Sequence, residues 1–159
     1  MQFCLDMASP HVAPYWLSLL GPSGTGKTML ARRITRFFSS RLDFMRDETK
    51  AGQFQRRGGL KPWGVVVNDM VEGDYTGIRD LRDDWFVALD DIGAEYDRHK
   101  ELSVAKLYDV LGARTNRFTV ITANLTLDEV NRKMDARIAS RLLRHGNIVV
   151  DINAPDFSL

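Results

Sequence analysis

Eight consecutive residues near the start of the chain have the types and the spacing needed to bind phosphate. They are Gly21, Pro22, Ser23, Gly24, Thr25, Gly26, Lys27 and Thr28, and they fit the pattern G-x-x-x-x-G-K-[ST]. Glycines at these positions allow a tight turn whose backbone N–H groups point inward at phosphate oxygens. The pattern predicts that the Lys27 ammonium reaches the β- and γ-phosphates of a nucleotide and that the Thr28 hydroxyl holds Mg²⁺.

Two acids follow a second apolar segment and could complete such a site. The run 85–89 is apolar without alternation, as in a strand buried on both faces of a parallel sheet, and it ends at Asp90 and Asp91. This is the pattern of a Walker B strand, which predicts that Asp90 lies on the metal side. Asp91 would then orient or activate the attacking water, a task more often given to the longer Glu. Glu95 is an alternative base.

A polar residue also ends the next predicted strand. Asn124 follows the strand predicted over 118–123, and its amide could hydrogen-bond the γ-phosphate or the lytic water. Equally, Asn is an ordinary turn residue before a capped helix. Such a helix is predicted here, because Thr126 and Glu129 have the spacing of a capping box.

Three arginines share one face of the helix predicted to continue to about Leu143. Arg137, Arg141 and Arg144 stand at positions i, i+4 and i+7. A second stripe is apolar and predicts the core face: it consists of Met134, Ile138 and Leu142. A basic helix face is usually only solvated. In a phosphate-loop protein it could instead supply an arginine finger to a neighbouring subunit.

The elements that must position these residues alternate between strands and helices. An apolar strand over 14–20 enters the phosphate loop, and a helix over 29–38 leaves it with Leu30, Ile34, Phe37 and Phe38 on one face. Further strands are predicted at 64–69 and 147–152, a short helix within 74–84 and a longer helix over 102–114. This alternation predicts an α/β fold with a mostly parallel sheet and ligands at the carboxyl ends of its strands.

One segment between the first helix and the second predicted strand is basic and irregular. Residues 39–62 are predicted to form a loop. No acid lies between Lys50 and Lys61, and the same stretch also carries Arg56 and Arg57. The segment either contacts a nucleic-acid backbone, with Phe54 and Trp63 as stacking groups, or is a solvated connection.

Composition limits the class of protein. The 159 residues suit a single domain, and the formal net charge of +1 gives no overall attraction to nucleic acid or membrane. Cys4 is the only cysteine, and three scattered histidines offer no metal-ligand spacing: His11, His99 and His145. No apolar run approaches membrane-spanning length. These features are typical of a cytoplasmic protein.

The motifs taken together resemble the AAA+ ATPase core of the DnaC/DnaI helicase loaders and the IstB transposition helpers. The resemblance rests on the phosphate loop, on the runs 90–95 and 121–125, and on the run 135–143, in the order found in that family. It implies a phosphate-loop NTPase fold with a five-stranded sheet of order 5-1-4-3-2 and no C-terminal lid. It also implies ATP as the nucleotide, Asn124 as sensor, and Arg141, or Arg137 as second choice, as the finger.

The same resemblance implies partners. Family members act as homo-oligomers on DNA, with single-stranded DNA and a replicative helicase or a transposase as partners. Their N-terminal partner-binding region is missing here, so residues 1–159 are expected to be the ATPase domain alone. Two other functions stay open: a nucleotide-gated adaptor that binds ATP with little turnover, and a small-molecule phosphate-loop kinase.

Overall fold

The computed structural model describes residues 1–9, 11–42, 58–94, 99–144 and 146–155. Its five strands are β1 (Trp16–Leu20), β2 (Gly58–Pro62), β3 (Phe86–Ile92), β4 (Phe118–Ala123) and β5 (Ile148–Asp151). All neighbouring strands pair in parallel, in the order β2-β3-β4-β1-β5. The predicted fold class and sheet order are therefore confirmed.

Helices cover both faces of this sheet. They are α1 (Gln2–Ala8), α2 (Lys27–Leu42), α3 (Trp63–Val71), α4 (Thr76–Asp83), α5 (Lys100–Ala113), α6 (Leu127–Glu129), a π-helix (Val130–Met134) and α7 (Ala136–Leu142). One core cluster joins the sheet to α1 and α2, and the other joins it to α3, α4, α5, the π-helix and α7. The result is a three-layer sandwich. No helix among these described elements is long and apolar enough to cross a membrane.

The second strand was predicted in the wrong place. The run 64–69 lies in α3, and the strand is the preceding segment Gly58–Pro62. The buried side chains of α3 follow helical spacing: Trp63, Val66, Val67 and Met70. Gly58 is needed in β2 because a Cβ there would lie 2.4 Å from the carbonyl oxygen of Phe86 on β3. Close strand packing therefore explains a glycine that reads as a loop signal.

Two further helical features differ from expectation. In α2, Ile34 and Phe38 are buried and Phe37 is half-buried, but Leu30 is 42% exposed and lies outside the core. Before the first strand the chain forms α1, which buries Phe3 and Met7 one turn apart. Sequence patterns did not indicate this helix.

The segment before β5 agrees with its prediction only in part, because the helix predicted to continue to about Leu143 is broken at Asp135, whose extended backbone separates the π-helix from α7. Thr126 accepts a hydrogen bond from the Glu129 N–H, and the Glu129 carboxylate accepts one from the Thr126 N–H, which completes the capping box. Ile138 and Leu142 of α7 are fully buried. Ile138 and Leu142 therefore face the core, as predicted. Of the predicted arginine face, α7 carries Arg137, which is exposed, and Arg141, which is half-buried, whereas Arg144 lies beyond the end of the helix.

Candidate nucleotide site

The phosphate loop connects β1 to α2 and takes a backbone path that needs glycine. Gly21, Gly24 and Gly26 have φ of +128°, +74° and +83°, in the left-handed region that disfavours other residues. A Cβ on Gly21 would also lie 2.3 Å from the carbonyl oxygen of Ile152. The Gly21 N–H donates to the Leu125 carbonyl (3.1 Å). The base of the loop is thus fixed against the segments that follow β4 and β5.

Lys27 begins α2 and its side chain turns back into the loop. Only 5% of the residue is exposed. Its ammonium donates to the carbonyl of Pro22 and to the hydroxyl of Thr25 (3.2 Å), and Thr25 in turn donates to Pro22 (3.0 Å). Burial lowers the pKa of Lys27, while the charges of Asp91 and Asp90 act in the opposite direction. The loop therefore holds a desolvated cation beside backbone N–H groups, a combination that suits a phosphate group.

The Asp90 carboxylate links the loop to the neighbouring part of the sheet. Asp90 is 6% exposed, and its Oδ1 accepts hydrogen bonds from the Thr28 hydroxyl (2.9 Å) and from the Thr122 hydroxyl (2.7 Å). Carboxylate and hydroxyl oxygens are hard ligands of the kind that Mg²⁺ prefers, so Thr28 and Asp90 fit this cation. Among the described residues, no group of three or more His, Cys, Asp or Glu could hold a metal.

The structure also brings Asp91 and Asn124 together. The pairing of β3 with β4 is irregular between Leu89 and Ile92, and Asp91 has φ of +60°. Such bulges re-aim side chains near functional sites. The Asn124 amide donates to Asp91 Oδ1 (2.7 Å), and the Asp91 N–H donates to the Thr122 hydroxyl (2.8 Å). The acid predicted to orient water and the predicted sensor therefore contact each other.

Sequence reasoning missed Thr122. Its hydroxyl lies at the centre of the site, because it donates to Asp90 and accepts from the backbone of Asp91. The residue is buried, at 1% exposure. A signal was present in the sequence: Thr122 is a polar residue in the otherwise apolar second half of β4, just before Asn124.

The predicted finger residues lie away from the phosphate loop. Arg137 and Arg141 belong to α7, and their guanidinium carbons lie 4.7 Å and 3.9 Å from the ring centroid of Tyr108 on α5. Arg137 also forms an ion pair with Asp135 (2.8 Å), which raises the pKa of Arg137. In the described part of the chain, no hydrogen bond or ion pair joins either guanidinium to residues 21–28. A finger role therefore requires a second subunit.

Only part of the predicted nucleic-acid segment belongs to the described residues. Lys50, Phe54, Arg56 and Arg57 lie outside the described residues, as does the alternative base Glu95. The prediction for Trp63 is wrong: the side chain is fully buried and donates from Nε1 to the Ser103 hydroxyl (2.8 Å), so it cannot stack on a base.

Comparisons with known proteins agree with this architecture. The sequence matches no protein-family model and no curated protein sequence. Similar solved structures include DnaI, with a TM-score of 0.69 at 19% identity over 98% of this chain and 80% of that chain. They also include the DnaC helicase loader, with a TM-score of 0.59 at 22% identity over 87% of this chain and 78% of that chain.

A third similar structure is AMPPCP-bound DnaA from Aquifex aeolicus, with a TM-score of 0.64 at 16% identity. The alignment covers 97% of this chain and 44% of that chain. A structure of DnaA bound to AMPPCP and single-stranded DNA is similar over 89% of this chain, with a TM-score of 0.65 at 15% identity, and this chain spans 41% of it. At these identities the likeness is one of fold.

The sheet order and these neighbours show that the chain has the fold of an AAA+ domain. The likeness is to DnaI and the DnaC helicase loader and, with comparable TM-scores, to DnaA. The resemblance drawn from the motifs is therefore confirmed for the fold. The link to the IstB transposition helpers stays a prediction.

Proposed function

We propose that this chain is an ATP-binding and ATP-hydrolysing AAA+ module that acts on DNA. The observation that carries the proposal is the hydrogen bond between Thr28 and Asp90 (2.9 Å) beside the buried Lys27. It joins the end of the phosphate loop to the acid of β3, although β4 separates β1 from β3 in the sheet. A glycine turn that binds no ligand would not require the Thr28–Asp90 hydrogen bond.

Each residue of the site has a separate task in the proposal. The loop N–H groups and Lys27 bind the phosphates of ATP. Thr28 and Asp90 would hold Mg²⁺, and this cation would neutralise negative charge on the phosphate oxygens. Asp91 accepts a hydrogen bond from the attacking water, and Asn124 keeps the Asp91 carboxylate in place. The products are ADP and phosphate, formed by positioning and charge stabilisation rather than by a covalent intermediate.

The finger residue would come from a neighbouring subunit. Arg141 lies on the surface formed by α5 and α7 and not at the chain's own loop. In a homo-oligomer, that surface would face the phosphate loop of the next subunit and stabilise charge on the transferring phosphoryl group. We therefore expect weak hydrolysis by the isolated subunit.

The proposed partners follow from the fold neighbours. One is named as a helicase loader, and another is a replication initiator bound to single-stranded DNA. We propose single-stranded DNA and a replicative helicase as partners in the cytoplasm, with a transposase as the alternative to the helicase.

The test measures ATP hydrolysis by the purified chain over a range of protein concentrations, with and without single-stranded DNA. A rate per subunit that rises with concentration and with DNA supports shared sites. An Arg141→Ala variant is expected to lose this rise while it keeps the ATP affinity of the parent. Hydrolysis by Arg141→Ala at the rate of the parent, under assembling conditions, would show that the finger assignment is wrong.

A nucleotide-gated adaptor is a second candidate, and the contacts of Asp91 favour it. This carboxylate is shorter than that of Glu and is already bonded to Asn124 (2.7 Å). An adaptor would bind ATP tightly and hydrolyse it slowly even in a single turnover. Comparison of ATP affinity with the single-turnover rate separates the two functions.

A further inference from the structure

Tyr108 and Gly112 lie one turn apart on α5, and both contact the guanidinium of Arg141. The guanidinium carbon lies 3.9 Å from the centroid of the Tyr108 ring. A cation at this distance from a ring face is attracted by the negative charge of the π-system. The Asn147 amide donates to the Arg141 carbonyl (3.0 Å), so the backbone at Arg141 is also fixed.

Gly112 leaves the space that the guanidinium fills. A Cβ at this position would lie 2.7 Å from Arg141 Nη1 and 3.4 Å from the guanidinium carbon. Alanine favours a helix interior more than glycine does. Helix stability therefore gives no reason for glycine at position 112, whereas the position of Arg141 does.

The charge of Arg141 is left available in this arrangement. Asp135 forms its ion pair with Arg137, whose side chain is 68% exposed. The Nε atom of Arg141 is buried and has no hydrogen-bond partner within the described part of the chain. Contacts with the ring and the glycine thus hold Arg141, and none of the ion pairs among the described residues involves it. This separates the two candidate fingers, since Arg137 is already paired.

We infer that Tyr108 and Gly112 form a seat that positions Arg141 for the active site of the neighbouring subunit. The inference rests on the proposed function, because it adds positioning residues to the proposed finger. The Tyr108 ring limits the orientations of the guanidinium before assembly. Because Gly112 has no side chain, the guanidinium can approach the α5 backbone closely. A positively charged group held in advance needs no reordering when the two subunits meet.

The most discriminating test is Gly112→Ala, because this substitution should preserve or raise the stability of the fold while it lowers the rate of hydrolysis. The added Cβ meets the movable end of an arginine side chain and not the backbone, so the fold should tolerate it. We expect a Tm equal to or above that of the parent, unchanged ATP affinity and a kcat reduced at least about tenfold. Parental kcat in Gly112→Ala would overturn the inference.

Variants of Tyr108 provide the matched comparison. Tyr108→Phe keeps the ring face and is expected to keep most of the kcat, whereas Tyr108→Leu removes the π-system and is expected to behave like Gly112→Ala. Equal loss in the Phe and Leu variants would show that the ring does not position Arg141.

Mixing experiments separate a finger defect from general damage. A Lys27→Ala subunit is expected to bind ATP at least about 100-fold more weakly but still carries an intact seat, so mixing it with Gly112→Ala should restore hydrolysis above either variant alone. A mixture of Gly112→Ala with Arg141→Ala should stay inactive, because neither subunit offers a positioned finger. Recovery in the second mixture would contradict the seat.

A readout without hydrolysis keeps the seat testable if the proposed function fails. Hydrogen bonding to Arg141 and the charge of this residue lower the pKa of the Tyr108 hydroxyl. The ultraviolet titration of Tyr108, obtained by difference from Tyr108→Phe, should move to higher pH in both Arg141→Ala and Gly112→Ala. If the parent shows no hydrolysis but the titration moves, the ATPase proposal fails and the seat stands. A titration unchanged in Gly112→Ala would refute the seat itself.

Discussion

Replacement of Thr122 by Val should destabilise the fold at the centre of the candidate site. The Thr122 hydroxyl donates to the Asp90 carboxylate (2.7 Å) and accepts from the Asp91 N–H (2.8 Å). A hydrogen bond to a charged group contributes about 1.5–3 kcal/mol, and a buried N–H left without a partner costs about 1–3 kcal/mol. Because the two bonds share one hydroxyl, we expect a combined loss of about 3 kcal/mol in the free energy of unfolding.

The matched control is Thr122→Ser, which keeps the hydroxyl and loses one buried methyl group, at a cost of about 1 kcal/mol. The two variants should therefore differ by about 2 kcal/mol. In urea unfolding followed by circular dichroism, this corresponds to a midpoint roughly 1 M lower for the Val variant. The Val variant should also hydrolyse ATP more slowly than the Ser variant. Equal midpoints for the Val and Ser variants would refute the role given to the hydroxyl.

Three further predictions concern other parts of the structure. Arg114 is fully buried, and its guanidinium donates to three backbone carbonyls and a hydroxyl. In urea titrations, Arg114→Met should therefore lower the free energy of unfolding by about 3–5 kcal/mol, and Arg114→Lys should recover only part of this loss. The hydrogen bonds from Lys133 and Thr126 lower the pKa of Glu129 to about 2. Its carboxylate thus stabilises the fold above the ordinary pKa of Glu, so the Tm advantage of the parent over Glu129→Gln should disappear as pH falls from about 4.5 to about 2; a constant advantage would contradict the assignment. Asp91→Asn should lower the hydrolysis rate at least about 100-fold with ATP affinity nearly unchanged, because Asn accepts the left-handed backbone at this position but cannot act as a base.

Local sequence patterns correctly predicted those elements whose structure depends mainly on residues close together in the chain. The buried strand β3 begins with a continuous apolar run, β4 is rich in apolar and β-branched residues, and the capping box follows from Thr126 and Glu129 alone. The phosphate loop is predictable because its positive φ angles strongly favour glycine. Each of these features depends on residues close together in the chain.

The errors arose where tertiary contacts decide the structure. The run of valines in α3 has β-branched residues, but burial at helical spacing beside Trp63 overrides that preference. The edge strand β2 contains Gly58 because β3 and α2 approach it closely, a fact that is invisible in the sequence. The site shows the same limit: the sequence indicated Asp90 and Asp91, but the hydroxyl of Thr122 reaches the Asp90 carboxylate and the Asp91 N–H only through the pairing of β3 with β4.

We expect the loop 21–28 to bind Mg-ATP. A fluorescent ATP analogue with Mg²⁺ measures the equilibrium affinity of the purified chain, compared with Lys27→Ala and with the surface control Lys106→Ala, whose side chain is 38% exposed. We predict saturable binding by the parent and the control, displaced by unlabelled ATP, and a loss of at least about 100-fold in Lys27→Ala, since this residue supplies the buried cation of the loop. Equal affinity in all three proteins, or no saturable binding by the parent, would show that the loop is not the ATP site.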